Sequence, residues 1–156
     1  MIRVQKEPFD IGVEQQALTA GRHDIGAIVT FTGTVRDRSP GGPVETMTLE
    51  HYPGMTERAL EEIEREALAR WPLAASLIIH RYGRLEPGDP IVLVITASAH
   101  RGPAFEACSF LMDWLKTKAP FWKLEEGDDR ATWVKARGED DEAAGRWADT
   151  TVPQRK

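Results

Sequence analysis

IVLVITASAHRGPAFEACSFLMDWLKTKAPFWK, Ile91 to Lys123, changes its hydrophobic period partway along. Ile91 to Ile95 is continuously apolar, the pattern of a strand covered on both faces and central in its sheet. The strand ends near Ala97, His100 and Arg101 sit in the turn, and Gly102-Pro103 opens a helix that runs to about Lys118. Proline fits the first helical turn and restricts the residue before it, so Pro103 is a start signal and Pro120, after Ala119, is a stop. At about 100° per residue, Ala104, Cys108, Leu111 and Leu115 form an apolar stripe, with Phe105, Met112 and Lys116 in a narrow arc beside it. Lys116 is thereby placed at a core boundary.

Upstream, Ile2 to Gln5 alternates as a short strand does, and a helix is expected from about Ile11 to Leu18 after Pro8. GAIVTFTGTVR, Gly26 to Arg36, is rich in β-branched and aromatic residues and reads as a strand that delivers Arg36 to its end. Gly33 within it marks a bulge or a close backbone approach. Asp37 to Pro43 is a loop, and Val44 to Tyr52 a second strand, expected antiparallel to the first because so short a connection holds no crossover helix. Leu60, Ile63, Ala67 and Trp71 have helical spacing within Thr56 to Arg70, and the glutamates opposite them, Glu61, Glu62 and Glu66, form a solvated face. Leu77 to Tyr82 is a third strand, in which His80 lies among aliphatics as a packed, hydrogen-bonded residue, and Gly83 to Asp89 is a turn. Thr132 to Arg137 reads as a last strand and Glu139 to Trp147 as a short polar helix. Hairpins interleaved with helices imply an α+β domain rather than a doubly wound parallel sheet. One domain over residues 1–147 is expected, with a frayed tail at 148–156.

The 156 residues, 41% of them hydrophobic, suffice for one substantial core. No apolar run approaches the roughly 20 residues that span a bilayer, the first residues lack a secretory apolar segment, and Cys108 is the single cysteine. These features fit a cytoplasmic protein, with Cys108 as a packed core thiol. No histidine–cysteine cluster has zinc spacing, and no metal is expected. No glycine-rich nucleotide-binding loop follows any strand.

A formal charge of −5 argues against general nucleic-acid binding. Acidic residues concentrate in Glu57 to Glu66 and Glu125 to Glu142, whereas Arg36, Arg38, His100, Arg101, Lys116, Lys118 and Lys123 lie in or beside turns and element ends. If these cations meet, they form a compact pocket suited to a small anion. Arg36 and Arg101 have the fork geometry for phosphate, and His100 can donate a hydrogen bond or shuttle a proton. Lys116, at an apolar edge, is a candidate acid, base or nucleophile through desolvation, while Lys116 and Lys118 also suit a helix C-terminus through the macrodipole. Arg36, taken alone, reads as a solvated strand-end charge rather than as a ligand contact. His100-Arg101 and the two lysines Lys116 and Lys123 are separated by about four helical turns, roughly 20 Å. An elongated ligand, a chain return after Pro120, or a second subunit would each join them.

FTGTVR at Phe31 to Arg36, LEHYPGMTE at Leu49 to Glu57, RWPL at Arg70 to Leu73, the HR pair in SAHRGPAFEA, and LKTKAPFWK at Leu115 to Lys123 together resemble the large, catalytic subunits of molybdopterin synthase. The resemblance covers residues 5–147 and is specific because five strings occur in order. It implies an α/β-hammerhead-type domain with an additional antiparallel sheet. It implies an enzyme of molybdenum cofactor biosynthesis that converts cyclic pyranopterin monophosphate (precursor Z) to molybdopterin. The dithiolene sulfur would come from the C-terminal Gly-Gly thiocarboxylate of a small ubiquitin-like subunit, with no permanently bound cofactor, in a heterotetramer built on a central homodimer. The catalytic lysines correspond to Lys116 and Lys123. The substrate-binding positions correspond to Thr34, Val35, Arg36, His100, Arg101, Lys116, Lys123, Leu124 and Glu125. Family members often carry a basic residue where Thr34 and Leu124 stand here, so the pocket is less cationic, and the segment Glu125 to Thr132 diverges.

Two other functions compete with the enzyme. A non-catalytic scaffold would bind a ubiquitin-like tail and a phosphorylated ligand without turnover, which the retention of both Lys116 and Lys123 disfavours. A nucleic-acid module would need a broad basic face around stacking residues such as Trp114 and Trp122, which the net charge disfavours.

Overall fold

The computed structural model describes residues 1–134 and 138–148. In chain order the first half comprises β1 (Ile2–Gln5), α1 (Ile11–Thr19), β2 (Ala27–Thr34), β3 (Arg38–Ser39), β4 (Gly42–Pro43), β5 (Thr46–His51) and α2 (Met55–Arg70). The second half comprises β6 (Leu73–Arg81), β7 (Gly83–Leu85), β8 (Pro90–Ser98), α3 (Arg101–Lys118), β9 (Phe121–Gly127), β10 (Arg130–Val134) and α4 (Gly138–Gly145).

The continuous apolar run became β8, an inner strand of a four-stranded sheet ordered β1-β6-β8-β2. It pairs antiparallel with both β6 and β2, and β1 adds to β6 in parallel. Because side chains alternate along a strand, the two faces of β8 serve different cores. Val92 and Val94 pack with Leu60, Ile63 and Ala67 of α2 and with Ala107, Phe110 and Leu111 of α3. Leu93 and Ile95 face the other way, with Leu77 and Ile79 of β6, against Phe9 and Leu18. Thr96 stays fully buried by donating its hydroxyl to the Ala104 carbonyl at 2.7 Å, which ties β8 to α3.

A second sheet, ordered β10-β9-β5-β7, is antiparallel throughout and has its own core of Val35, Met47, Leu49, Leu85 and Ile91. The α+β class and the additional antiparallel sheet thus agree with expectation. The pairing expected for the second strand does not: β5 joins β9 and β7, not β2. A short connection excludes a crossover helix but does not select a partner. Here the β3–β4 hairpin diverts the chain, and β9 offers β5 six register pairs from Thr46↔Glu126 to His51↔Phe121. The strand β9 was not anticipated, nor was β7 inside the expected turn. The strand read at 132–137 is β10, displaced toward Arg130; residues 135–137 and the tail from 149 onward lie outside the described residues. Gly33 meets both expectations, since the β2–β8 register shifts between Gly33 and Thr34 and a Cβ at Gly33 would stand 2.8 Å from Val92 Cγ1.

Phe110 anchors the helical layer. It is fully buried, with Trp71 edge-on at 5.2 Å, Trp147 at 5.7 Å and the Arg70 guanidinium over its ring at 4.9 Å. Phe110→Ala is expected to lower the unfolding free energy by about 3–5 kcal/mol through lost transfer energy and a cavity between α2, α3 and α4. Urea unfolding checks this, and a loss under about 1 kcal/mol would show that the layer collapses onto the gap.

Candidate functional site

Pro120 determines how the site is built. It has no N–H and disfavours helix in the residue before it, so α3 ends and Ala119 is extended at φ −75° and ψ 123°. The Phe121 N–H donates to the Ala119 carbonyl at 2.9 Å, and the chain returns as β9. The two-residue alternation of β9 then turns Phe121, Lys123 and Glu125 toward α3 and puts Trp122, Leu124 and Glu126 on the other face. Between α3, β9 and the end of β2 lies a cleft of about 450 Å³. Its apolar part is supplied by Phe31, Met47, Ile91, Met112, Leu115 and Phe121. Its polar part is Thr34, Arg36, Arg38, His80, Lys116, Lys123, Glu125 and Asp140.

Four cations therefore face two carboxylates around an apolar floor. The Lys116 side chain is 51% exposed and its Nζ lies 3.7 Å from Asp140 Oδ1. That is not the desolvated lysine expected at the edge of an apolar stripe; the stripe itself, Ala104, Cys108, Leu111 and Leu115, is buried as read. Arg36 and Arg38 are exposed. His80, on the cleft floor, is only 4% exposed, stacks on Phe121 at 3.6 Å between ring centroids, and shares a 2.8 Å hydrogen bond between Nδ1 and the Arg81 carbonyl. A carbonyl can only accept, so Nδ1 carries the proton and Nε2 is left as an acceptor. Burial, reinforced by the charge of Lys123 and by His51, pushes the imidazole down to about 4.

That depression has a stability consequence. Below the ordinary histidine range near 6.5 the unfolded chain takes up a proton that folded His80 refuses until about pH 4, so stability falls as pH drops through this window. The loss amounts to about 3 kcal/mol in total. Urea midpoints measured at pH 7 and pH 4.5 are expected to diverge more for the wild type than for His80→Gln, and equal pH dependence would show that His80 is protonated without cost.

The cleft unites five of the positions nominated from sequence: Thr34, Arg36, Lys116, Lys123 and Glu125. Two others are placed away from it. Val35 is 3% exposed within the second core, and its N–H and carbonyl are bonded to Asp89 and Gly88 at 3.0 and 2.8 Å. Leu124 points to the opposite face of β9 by strand alternation, beside Trp133 of β10 and Thr48 of β5. His100 and Arg101 stand at the other end of α3 and do not line the cleft; the chain return joins Lys116 to Lys123 only. His100 is the N-cap of α3 without a side-chain cap bond, and the first turn has no acidic residue, which leaves backbone N–H groups for an anion. Cys108 is a packed thiol, buried and pushed up to about 11 mainly by that burial. Sequence reading did not single out Asp140; the signal it offered was its position four residues before the apolar Ala144, on one helical face.

No group of three or more metal-ligating side chains occurs among the described residues, nor any helix long and apolar enough to cross a membrane. Residues 4–118 match the model of the family described as MoaE protein. The molybdopterin synthase catalytic subunit of Pseudomonas aeruginosa is 57% identical over 146 residues, spanning 94% of this chain and 97% of that one. The solved molybdopterin biosynthesis MoaE protein of Burkholderia ambifaria superposes with a TM-score of 0.81 at 53% identity, over 94% of this chain and 97% of its own. A more distant structure from Helicobacter pylori, a protein–protein complex of subunits 1 and 2 of molybdopterin-converting factor, has the same fold at 18% identity, with a TM-score of 0.72 over 87% of this chain and 91% of its own. The match of sequence and fold across nearly the whole chain places this protein in the MoaE family of molybdopterin synthase catalytic subunits, enzymes of molybdenum cofactor biosynthesis.

Proposed function

We propose that this cleft transfers sulfur to cyclic pyranopterin monophosphate, forming the dithiolene of molybdopterin, with a small ubiquitin-like subunit as the donor through its C-terminal Gly-Gly thiocarboxylate. The observation that carries this reading is the convergence of Lys116 and Lys123, brought by the Pro120 turn into one cleft with Arg36 above an apolar floor. An amphipathic ligand with a flat ring and an anionic group suits such a lining. Arg36 supplies a guanidinium fork for the cyclic phosphate. Lys116 lies beside the thiocarboxylate and moves a proton as sulfur attacks, and Lys123 stabilises the anion that develops when the cyclic phosphate opens. The chain brings no resident cofactor or metal to this chemistry, since the sulfur arrives on the partner. The proposal places the enzyme in the cytoplasm.

His100 and Arg101 enter through a second copy of the chain. Arg101 opens α3 and Lys116 lies fifteen positions further along it within one protomer, and a homodimer at the centre of a heterotetramer would bring the partner copy's helix start to this cleft. The test is to incubate the protein with cyclic pyranopterin monophosphate and the thiocarboxylated small subunit and to follow the pterin by mass spectrometry. Gain of two sulfurs per pterin is expected. No sulfur gain under any condition would favour a scaffold that binds both ligands without turnover.

A further inference from the structure

Lys116 is not waiting unoccupied in the cleft: it already holds a carboxylate. Asp140 Oδ1 sits 3.7 Å from its Nζ, and both side chains line the cleft. Asp140 precedes Ala144 by one helical turn, and Ala144 is 3% exposed, so the two share the face of α4 turned to α3. Asp141 and Glu142 are exposed instead. The far end of α4 is fixed in place. Arg146 donates to Asp113 at 2.6 Å and to the Ser109 hydroxyl at 2.9 Å, while Trp147 Nε1 donates to Asp113 at 2.7 Å and its ring meets Trp71 and Phe110 edge-on. An acidic residue near the start of α4 would suit the helix dipole at any of these positions. The dipole does not explain why the carboxylate of Asp140 is turned inward to meet Lys116.

We propose that Asp140 is a built-in competitor at Lys116: its carboxylate takes the place on the ammonium that the carboxylate end of an incoming peptide tail occupies, so the tail binds by exchange. The inference rests on the reading of Lys116 as the residue beside that tail. Arg36, Arg38 and Lys123 also face the cleft, against Glu125 and Asp140, with His80 neutral on the floor. A cleft with that excess of cations would hold any small anion. Competition from Asp140 disfavours ligands that bring only a charge, and admits a tail that gains contacts along its length.

Calorimetric titration of the full chain tests this, using a synthetic peptide ending in Gly-Gly with a free carboxylate, the same peptide as its C-terminal amide, and inorganic phosphate. Asp140→Asn is expected to bind the carboxylate peptide about two- to fivefold tighter than wild type, the range an exposed ion pair supports. The amide should gain nothing, Asp140→Glu should restore wild-type affinity, and adding Lys116→Ala to Asp140→Asn should abolish the gain. No gain in Asp140→Asn, an equal gain for the amide, or a gain confined to phosphate overturns the proposal. If Lys116→Ala alone leaves carboxylate binding unchanged, the assignment of the tail to Lys116 fails instead.

Discussion

Lys116→Ala is expected to cut molybdopterin formation by about 10²- to 10⁴-fold, the range that a positioned proton-transfer group contributes. The fold should survive. The Lys116 side chain is half-exposed and its ion pair to Asp140 is long, so truncation removes an interaction worth no more than about 1 kcal/mol. A fall in turnover with an unchanged urea midpoint therefore separates chemistry from stability. Lys118→Ala is the matched control. Lys118 lies two residues further along the same helix, yet its Nζ stands 4.1 Å over the Trp114 ring and it does not line the cleft. Its removal should leave turnover near wild type. Lys116→Arg keeps the charge but holds its proton far more tightly, so it should rescue binding of the tail and not the rate. Near-normal turnover of Lys116→Ala with a thiocarboxylated partner would remove Lys116 from the mechanism.

What the sequence made readable followed from local rules. The central strand β8 was visible because an uninterrupted apolar run has few other uses, and α3 because Pro103 and Pro120 mark both its ends. Cys108 and His80 were placed correctly from their neighbours alone. What escaped was set by pairing at a distance. β9 carries Lys123, Glu125 and Glu126 among its aromatics and has no apolar alternation, so only its register with β5 makes it a strand. The assignment of β5 to the wrong sheet followed from the same gap: a turn's length limits the connection and says nothing of the edge a strand finds. The site positions carried over by resemblance divide along strand alternation. Lys123 and Glu125 share a face and reach the cleft, whereas Leu124 between them cannot. The loop after β2 shows a similar split, with Arg36 open at the cleft and Val35 buried beneath it.

Mixing two inactive variants, Lys116→Ala and Arg101→Ala, is expected to restore about a quarter of wild-type activity if the site is shared across a two-fold axis. Random assortment makes half the dimers mixed. Each mixed dimer has one site with both defects and one with neither. The reason to expect sharing is distance: Arg101 and Lys116 are fifteen positions apart on α3, about 22 Å along it, and the helix between them is packed in the core through Ala104, Ala107, Cys108, Leu111 and Leu115. No movement of one chain brings the two ends together without unpacking that face. The start of α3 nonetheless has the features of a ligand contact, with an uncapped N-terminus, His100 and Arg101 exposed, and Phe105 62% exposed beside them. An apolar ring left in solvent next to uncapped N–H groups is what a surface completed by a second copy presents. Two other results are informative. Full activity of Arg101→Ala alone would exclude this end of the helix from the site. Two inactive variants that fail to complement after unfolding and co-refolding would place both residues in one protomer's site, and the ligand would then have to extend along the helix.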